Sequence, residues 1–445
     1  MSNNILFYTD IKAEEYKNRI LNTKSEVTFE GNAYYVSNNG SDDNDGLSPE
    51  SPWKTLAKAK EFPYKEGDAI LLERGSVFRE SMALKCAHTT LSAYGEGDKP
   101  KIYGSPKNFN SPDDWKKTKF ENVYLCGTKF ERDVGNIVCN GGEFYGLKQV
   151  INNFGFKGEV SELKADMEFY HDNDTNELFL YSLGNPGERF SDVEICVGGC
   201  VGMLADYLVI DNICTKYCGG HSIASGAPRR GITVQNCEMG WIGGMIQFIT
   251  DDGRRVRFGN AVEIYVECFD YNVCNNYIYQ VYDAGITHQY FQDAKRDIFM
   301  EDIRYADNLI EYCTYSIEYA LARQTGANQH MHNVLIENNV MRYAGYGFGA
   351  QRPDKDAAAH VKSWETCNES ENFVIRNNIF DRSDYMLLHL AAFEGKELPK
   401  LEGNTYVQNK GGELGRYGHV PTKLYLTDEA EEYFENDKEA EVHII

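Results

Sequence analysis

Positive charge is scarce in this 445-residue chain: 45 Lys and Arg stand against 68 Asp and Glu, a net charge of −23. That balance argues against nucleic acid as a partner, because phosphate binding needs a basic face. It also disfavours a polyanionic substrate, unless a cation mediates. Long apolar runs are missing as well. No stretch of about 18 apolar residues occurs, so no membrane-spanning helix is expected. The opening MSNNILFYTDIKAEEYKNRI has neither the basic start nor the apolar core of a signal peptide, so a cytoplasmic protein is expected. Zinc-type cysteine spacing is absent. The twelve Cys are scattered, and the two CxxxC pairs, Cys196/Cys200 and Cys214/Cys218, have no matching His pair. They read as reduced core thiols. His330 and His332 form a lone HxH without further ligands at sensible spacing, so no metal is expected.

What the chain does have is core-forming material. It is 42% hydrophobic, with 30 Tyr and 23 Phe, which is too apolar for disorder. Forty Gly and only 11 Pro accompany aromatic and β-branched segments, a β-rich signature. The stretch NNYIYQVYDAGIT (275–287) returns in outline as NNVMRYAGYGFG (338–349) and NNIFDRSDYMLL (377–388). Aligning such cores puts Asp211, Asn236, Asn275, Asp307, Asn338 and Asn377 in register, with gaps of 25, 39, 32, 31 and 39 residues. A constant strand-like core with variable lengths between is the behaviour of a β-solenoid, whose loops grow outward from a fixed coil. Asn at each bend can satisfy turn backbone and bond its equivalents as a ladder.

The flanks differ in character. Residues 1–33 read as a short helix and linker capping the structure, and 34–104 as the first coils. Within them, the Asp-rich turn SDDNDG (41–46) lacks the glutamate that closes an EF-hand. It reads as a structural turn, with a structural Ca²⁺ as the alternative and no other cofactor expected. Residues 105–200 are irregular and read as an inserted β subdomain. There MEFYHDNDTNELFLYS (167–182) has the strand–turn–strand pattern of a hairpin. Residues 201–410 form the main coil stack, and 411–445 are expected to end in a capping helix.

Three stretches carry a resemblance: YYVSNNGSDDNDGLSPESPWKTLAKA (34–59), GDAILLERGSVFRE (67–80) and the repeated NN-led coils. With them the chain resembles the right-handed parallel β-helix (pectate-lyase-like) superfamily, and within it carbohydrate-active β-helix glycoside hydrolases. The resemblance spans roughly residues 34–410. It implies an all-β, single-stranded, right-handed parallel β-helix with an N-terminal cap and a small inserted β subdomain.

In such a stack, equivalent positions on adjacent rungs lie about 5 Å apart and alternate rungs about 10 Å. Val262 matches Ile223, and Ile286 matches Ile317, so Glu263, Thr287 and Glu318 are expected in one outward column. Asp283 is a third acid, beside a bend. Glu263, Asp283 and Glu318 are therefore the candidate catalytic acids. One would protonate the leaving oxygen while another attacks the anomeric carbon or activates water. Candidate substrate contacts are Trp241, Asp251, Asp252, Tyr282, His288, Arg304, Arg323, His360 and Trp364, with His221 and His389 as further residues at the groove. An oligosaccharide substrate and exo-cleavage of neutral glycan fragments are expected. The alternatives are a polysaccharide lyase or uronate epimerase with a Ca²⁺-assisted base such as Arg304 or Arg323, and a non-catalytic carbohydrate-binding solenoid. Neither the sugar nor the oligomeric state is legible.

Overall fold

A computed structural model of the chain describes residues 2–26, 28–291, 296–321, 328–353, 355–364 and 370–445. Short strands follow one another around a coil, and each pairs in parallel with its equivalents one turn before and after. Among the described residues, a ten-stranded sheet runs from Ala33–Val36 to Lys400–Glu402, and a second sheet of eighteen strands closes the coil. The chain is a right-handed parallel β-helix.

Register shows why these residues form rungs. In the ten-stranded sheet, Ile70, Leu91, Ile210, Val234, Val273, Tyr305, Ile336, Ile375 and Leu401 are successive partners. All are buried. Because strand side chains alternate between faces, every second residue of the coil fills the interior and the next faces outward. The coil resumes after the insertion as if nothing intervened: Thr90 pairs with Val209 and Leu91 with Ile210. Between them, strands from Trp115 to Cys196 form separate, mainly antiparallel sheets, including the hairpin Glu168–Asp172 with Glu177–Tyr181.

The double asparagine divides its labour. The first member takes a left-handed backbone at Asn236, Asn275, Asn338 and Asn377, with φ between 53° and 55°. The second is buried and stacks. Asn276 donates to Asn308 at 3.0 Å, Asn308 to Asn339 and Asn339 to Asn378 at 2.9 Å each, and Asn378 to Asn404 at 3.0 Å. Asp437 accepts the last bond. One expected position moves by a residue: Asp211 pairs with Gln235, so Asn212, also left-handed, is the true equivalent of Asn236. The polar residue in the left-handed turn, rather than the first polar residue after the strand, sets the register.

Both ends depart from expectation. The helix Ser2–Leu21 lies along the flank of the stack: Ala13 and Ile20 pack on Tyr277, Leu309, Val340 and Ile379 from successive rungs. It covers a row of rung edges, where an end cap would cover one. The tail folds as further strands, Glu413–His419, Leu424–Leu426 and Glu441–Ile444, with a short helical stretch over 427–436 before the last of them. Strand pairing with the preceding rungs outcompetes helix there. Asp42 of the Asp-rich turn accepts from the Lys54 and Thr55 amides and the Thr55 hydroxyl, which tie the turn to the helix that follows. No helix among the described residues is long and apolar enough to cross a membrane.

Candidate active site

One outward column gathers acidic and basic side chains from successive rungs. Ala224 pairs with Glu263, Glu263 with Thr287, Thr287 with Glu318, Glu318 with Lys362, Lys362 with His389 and His389 with Arg416. Behind it, Ile223, Val262, Ile286, Ile317, Val361 and Leu388 fill the interior as the alternating set. Glu263 and Glu318 are thus two rungs apart, about 9.6 Å along the stack. Both are nonetheless buried, 5% and 4% exposed, because loops fold over this face.

The loops bring charge and rings. Phe258, in the hairpin formed by Met245–Ile249 and Arg255–Phe258, packs edge-on against His221. The base of that hairpin depends on glycine: Gly259 and Gly243 both have positive φ, and a Cβ on Gly259 would sit 2.1 Å from the Gly243 Cα. Downstream, Arg352 donates to Asp283 Oδ1 at 2.5 Å. Its guanidinium lies over the rings of Tyr282 and Tyr315 at 5.5 and 5.2 Å. Asp283 sits where the register slips between Val281 and Ala284.

The two column acids are treated oppositely. Burial pushes the Glu318 carboxyl up, the Asp283 carboxylate pushes it further, and it reaches about 8 despite the Trp364 indole and Arg352. The Trp364 indole N–H donates to Glu318 Oε1 at 2.6 Å. Burial also works against the Glu263 charge, but His221 overcomes it, and Glu263 lies below the ordinary carboxylate range. His221 Nδ1 is 2.7 Å from Glu263 Oε2, and Asn260 Nδ2 donates to the same oxygen at 2.9 Å. The Asn260 amide also approaches Nδ1, at 3.0 Å. One ring nitrogen serves only one of these, and the shorter, charge-assisted contact to the carboxylate prevails. Burial alone would lower the His221 pKa, but the Glu263 charge, aided by Asp283, raises it. Between the acids, the buried Thr287 hydroxyl has no hydrogen-bond partner among the described residues.

Beyond Glu318 the column turns basic. Lys362 Nζ is 2.6 Å from His389 Nδ1 and stands over the Trp364 ring at 4.4 Å. Burial, then the Lys362 and Arg416 charges, push His389 down to about 3, so its neutral ring accepts from Lys362.

Of the residues singled out in the sequence, Glu263, Asp283, Glu318 and Trp364 come together, with Tyr282 behind Arg352. Others lie away from these acids. His288 follows outward Thr287, so alternation turns it into the interior; its Nδ1 lies 2.8 Å from the Tyr305 hydroxyl, and burial lowers it to about 3. Trp241 is 4% exposed in an aromatic cluster with Tyr145 and Phe348. His360 is buried, with Nδ1 3.2 Å from Ser316 Oγ and its ring stacked on Phe380. Asp251 and Asp252 are exposed at a hairpin tip whose Gly253 carbonyl accepts from Asn152 of the insertion. Arg304 lies on the ten-stranded sheet and pairs with Glu337, on a different face from the column. Arg323 lies outside the described residues. Arg352 was not anticipated. It comes from a loop 69 residues after its partner Asp283, and no local pattern marks it.

The stacked parallel sheets define the chain as a parallel β-helix protein. No protein-family model matches the chain. It is 38% identical over 85 residues to a lacto-N-biosidase of Bifidobacterium longum subsp. longum, a match covering 17% of this chain and 5% of that protein. Similar solved structures include a GH136 lacto-N-biosidase from Eubacterium ramulus, at 14% identity and TM-score 0.40, covering 94% of this chain and 68% of that one. Another is XylC in complex with xylose, at 12% identity and TM-score 0.46, covering 87% of this chain and 71% of that one.

Proposed function

We infer that the protein is a glycoside hydrolase. The observation that carries this reading is the opposite treatment of neighbouring buried acids in one groove: Glu318 is held neutral near pH 7, whereas Glu263 is held ionised. A glycosidase needs such a split, with a proton donor for the leaving oxygen and a carboxylate for the anomeric centre. Glu318 is the donor. Asp283, the charge that acts most strongly on Glu318 and is fixed by Arg352, is the facing carboxylate. Glu263, clamped by His221 and Asn260, accepts a sugar hydroxyl, and the Thr287 hydroxyl offers another contact. The short match to a lacto-N-biosidase supports a glycan substrate. An oligosaccharide cleaved from one end is the expected substrate.

The test is hydrolysis of a panel of aryl and oligosaccharide glycosides by wild type, Glu318→Gln, Asp283→Asn and Glu263→Gln. Loss of about 10²–10⁴-fold in kcat is expected for the first two. NMR of the first-formed anomer assigns the partner. Retained configuration is the result expected with Asp283 as the facing carboxylate close to Glu318; inversion would overturn that assignment and move the role to Glu263, two rungs away with water between. Full activity in all three variants would remove the site.

A further inference from the structure

A second cluster lies on the outer face of the ten-stranded sheet, away from the acid column. Along the strand Gln329–Glu337, Gln329 and Met331 face the interior, so His330 and His332 both project outward. Their rings stack at 3.7 Å with planes 8° apart. Register supplies what the sequence spacing could not: Glu301 pairs with His332 from the rung before, and Glu371 pairs with His332 from the rung after. His330 Nε2 is 2.6 Å from Glu301 Oε1, and His332 Nε2 is 3.2 Å from Glu371 Oε2. The ligating atoms of Glu301, His330 and His332 all lie within 4.8 Å of one another. In a tetrahedral zinc site donor atoms stand about 3.3 Å apart, given bonds of about 2.0–2.1 Å. Rotation of partly exposed side chains closes that gap without moving the backbone.

We propose that Glu301, His330, His332 and Glu371 form a binding site for a divalent transition-metal ion of the zinc type. Two imidazoles and two carboxylates suit zinc, nickel or cobalt, whereas Mg²⁺ and Ca²⁺ prefer all-oxygen sites. The rungs it joins matter. Glu301, His330 with His332, and Glu371 stand on three successive strands of the ten-stranded sheet. A bound ion staples three consecutive rungs of that sheet. This proposal stands independently of the glycosidase reading.

The test uses the whole chain, stripped with a chelator and dialysed, with Zn²⁺ alone as probe. Calorimetric titration is expected to show one Zn²⁺ per chain and no binding of Mg²⁺ or Ca²⁺. With free Zn²⁺ a hundredfold above its dissociation constant, Tm is expected to rise by about 3 °C. His330→Ala/His332→Ala should abolish both effects, and Glu301→Gln should weaken affinity by about 10–100-fold. If the double alanine variant misfolds by circular dichroism, the Glu301→Gln/Glu371→Gln pair, which keeps both rings, carries the test. Co²⁺ substitution adds a spectroscopic readout, with visible bands of a nitrogen–oxygen site. Thiolate charge-transfer bands would put the ion on cysteine and overturn the proposal, as would wild type that fails to bind Zn²⁺ or variants that bind it unchanged.

Discussion

Replacing Glu318 with Gln removes an ionisable group that the fold holds neutral, and the stability of the protein should record the change without any substrate. The Glu318 carboxyl titrates near 8 in the folded chain against 4.5 for an ordinary glutamate. Its folded pKa is raised, so between pH 4.5 and 8 the unfolded chain has released this proton while the folded chain keeps it. Stability therefore falls as pH rises through that window and levels off above about 8. The gap of 8 − 4.5 = 3.5 pH units, at about 1.4 kcal/mol each, sets a ceiling of about 5 kcal/mol. Part of it belongs to Asp283, whose charge raises the Glu318 pKa, so about 3 kcal/mol is the expected share. With an unfolding entropy of about 2.1 cal/mol/K per residue, a chain of this length converts that into about 3 °C of Tm. Gln keeps the size and the acceptor for Trp364 but carries no charge. The assay is thermal unfolding of wild type and Glu318→Gln from pH 5 to pH 8. The variant should gain on wild type steadily with pH, reaching about 3 °C by pH 8. A gap that stays constant across the window would refute the claim that Glu318 is held neutral.

Three further outcomes are expected. Trp364→Phe keeps the ring but removes the indole N–H that favours the Glu318 carboxylate, so the alkaline limb of kcat/KM should move up by about 1 pH unit; an unmoved limb would detach it from Glu318. In His221→Asn the imidazole that holds Glu263 ionised is gone, and carboxyl ¹³C NMR should show the Glu263 pKa rising above its wild-type position; a resonance that does not shift would break the proposed ion pair. Asn308 is fully bonded within the ladder, donating to Asn339 and the Val273 carbonyl and accepting from the Asn276 backbone and side chain. Asn308→Ala leaves buried partners unsatisfied and should lower stability by about 1–3 kcal/mol, a Tm drop of about 1–3 °C; unchanged Tm would show that the ladder contributes nothing.

Much of this molecule was legible because a β-helix writes its period into the chain. The NN-led cores announced the rungs, and counting from Val262 and Ile286 placed Glu263, Thr287 and Glu318 in one outward column, as the strand register has it. The same parity, applied to His288, would have sent it inward; naming it a groove residue ignored the alternation. Trp241 and His360 misled for another reason, since an aromatic or imidazole ring reads alike in a core and on a surface.

Local pattern determined the coil, its turn asparagines and the row on which acids stand, because those depend on spacing along the strand. Only the folded chain decided which acid keeps its proton, since that depends on how deeply loops bury each carboxyl and which charges come near. Arg352 reaches Asp283 from a loop 69 residues away. Glu301 and Glu371 meet His332 from rungs on either side. Electrostatics acts through space, and in a coil of unequal turns the distance through space is set by stacking rather than by position in the chain.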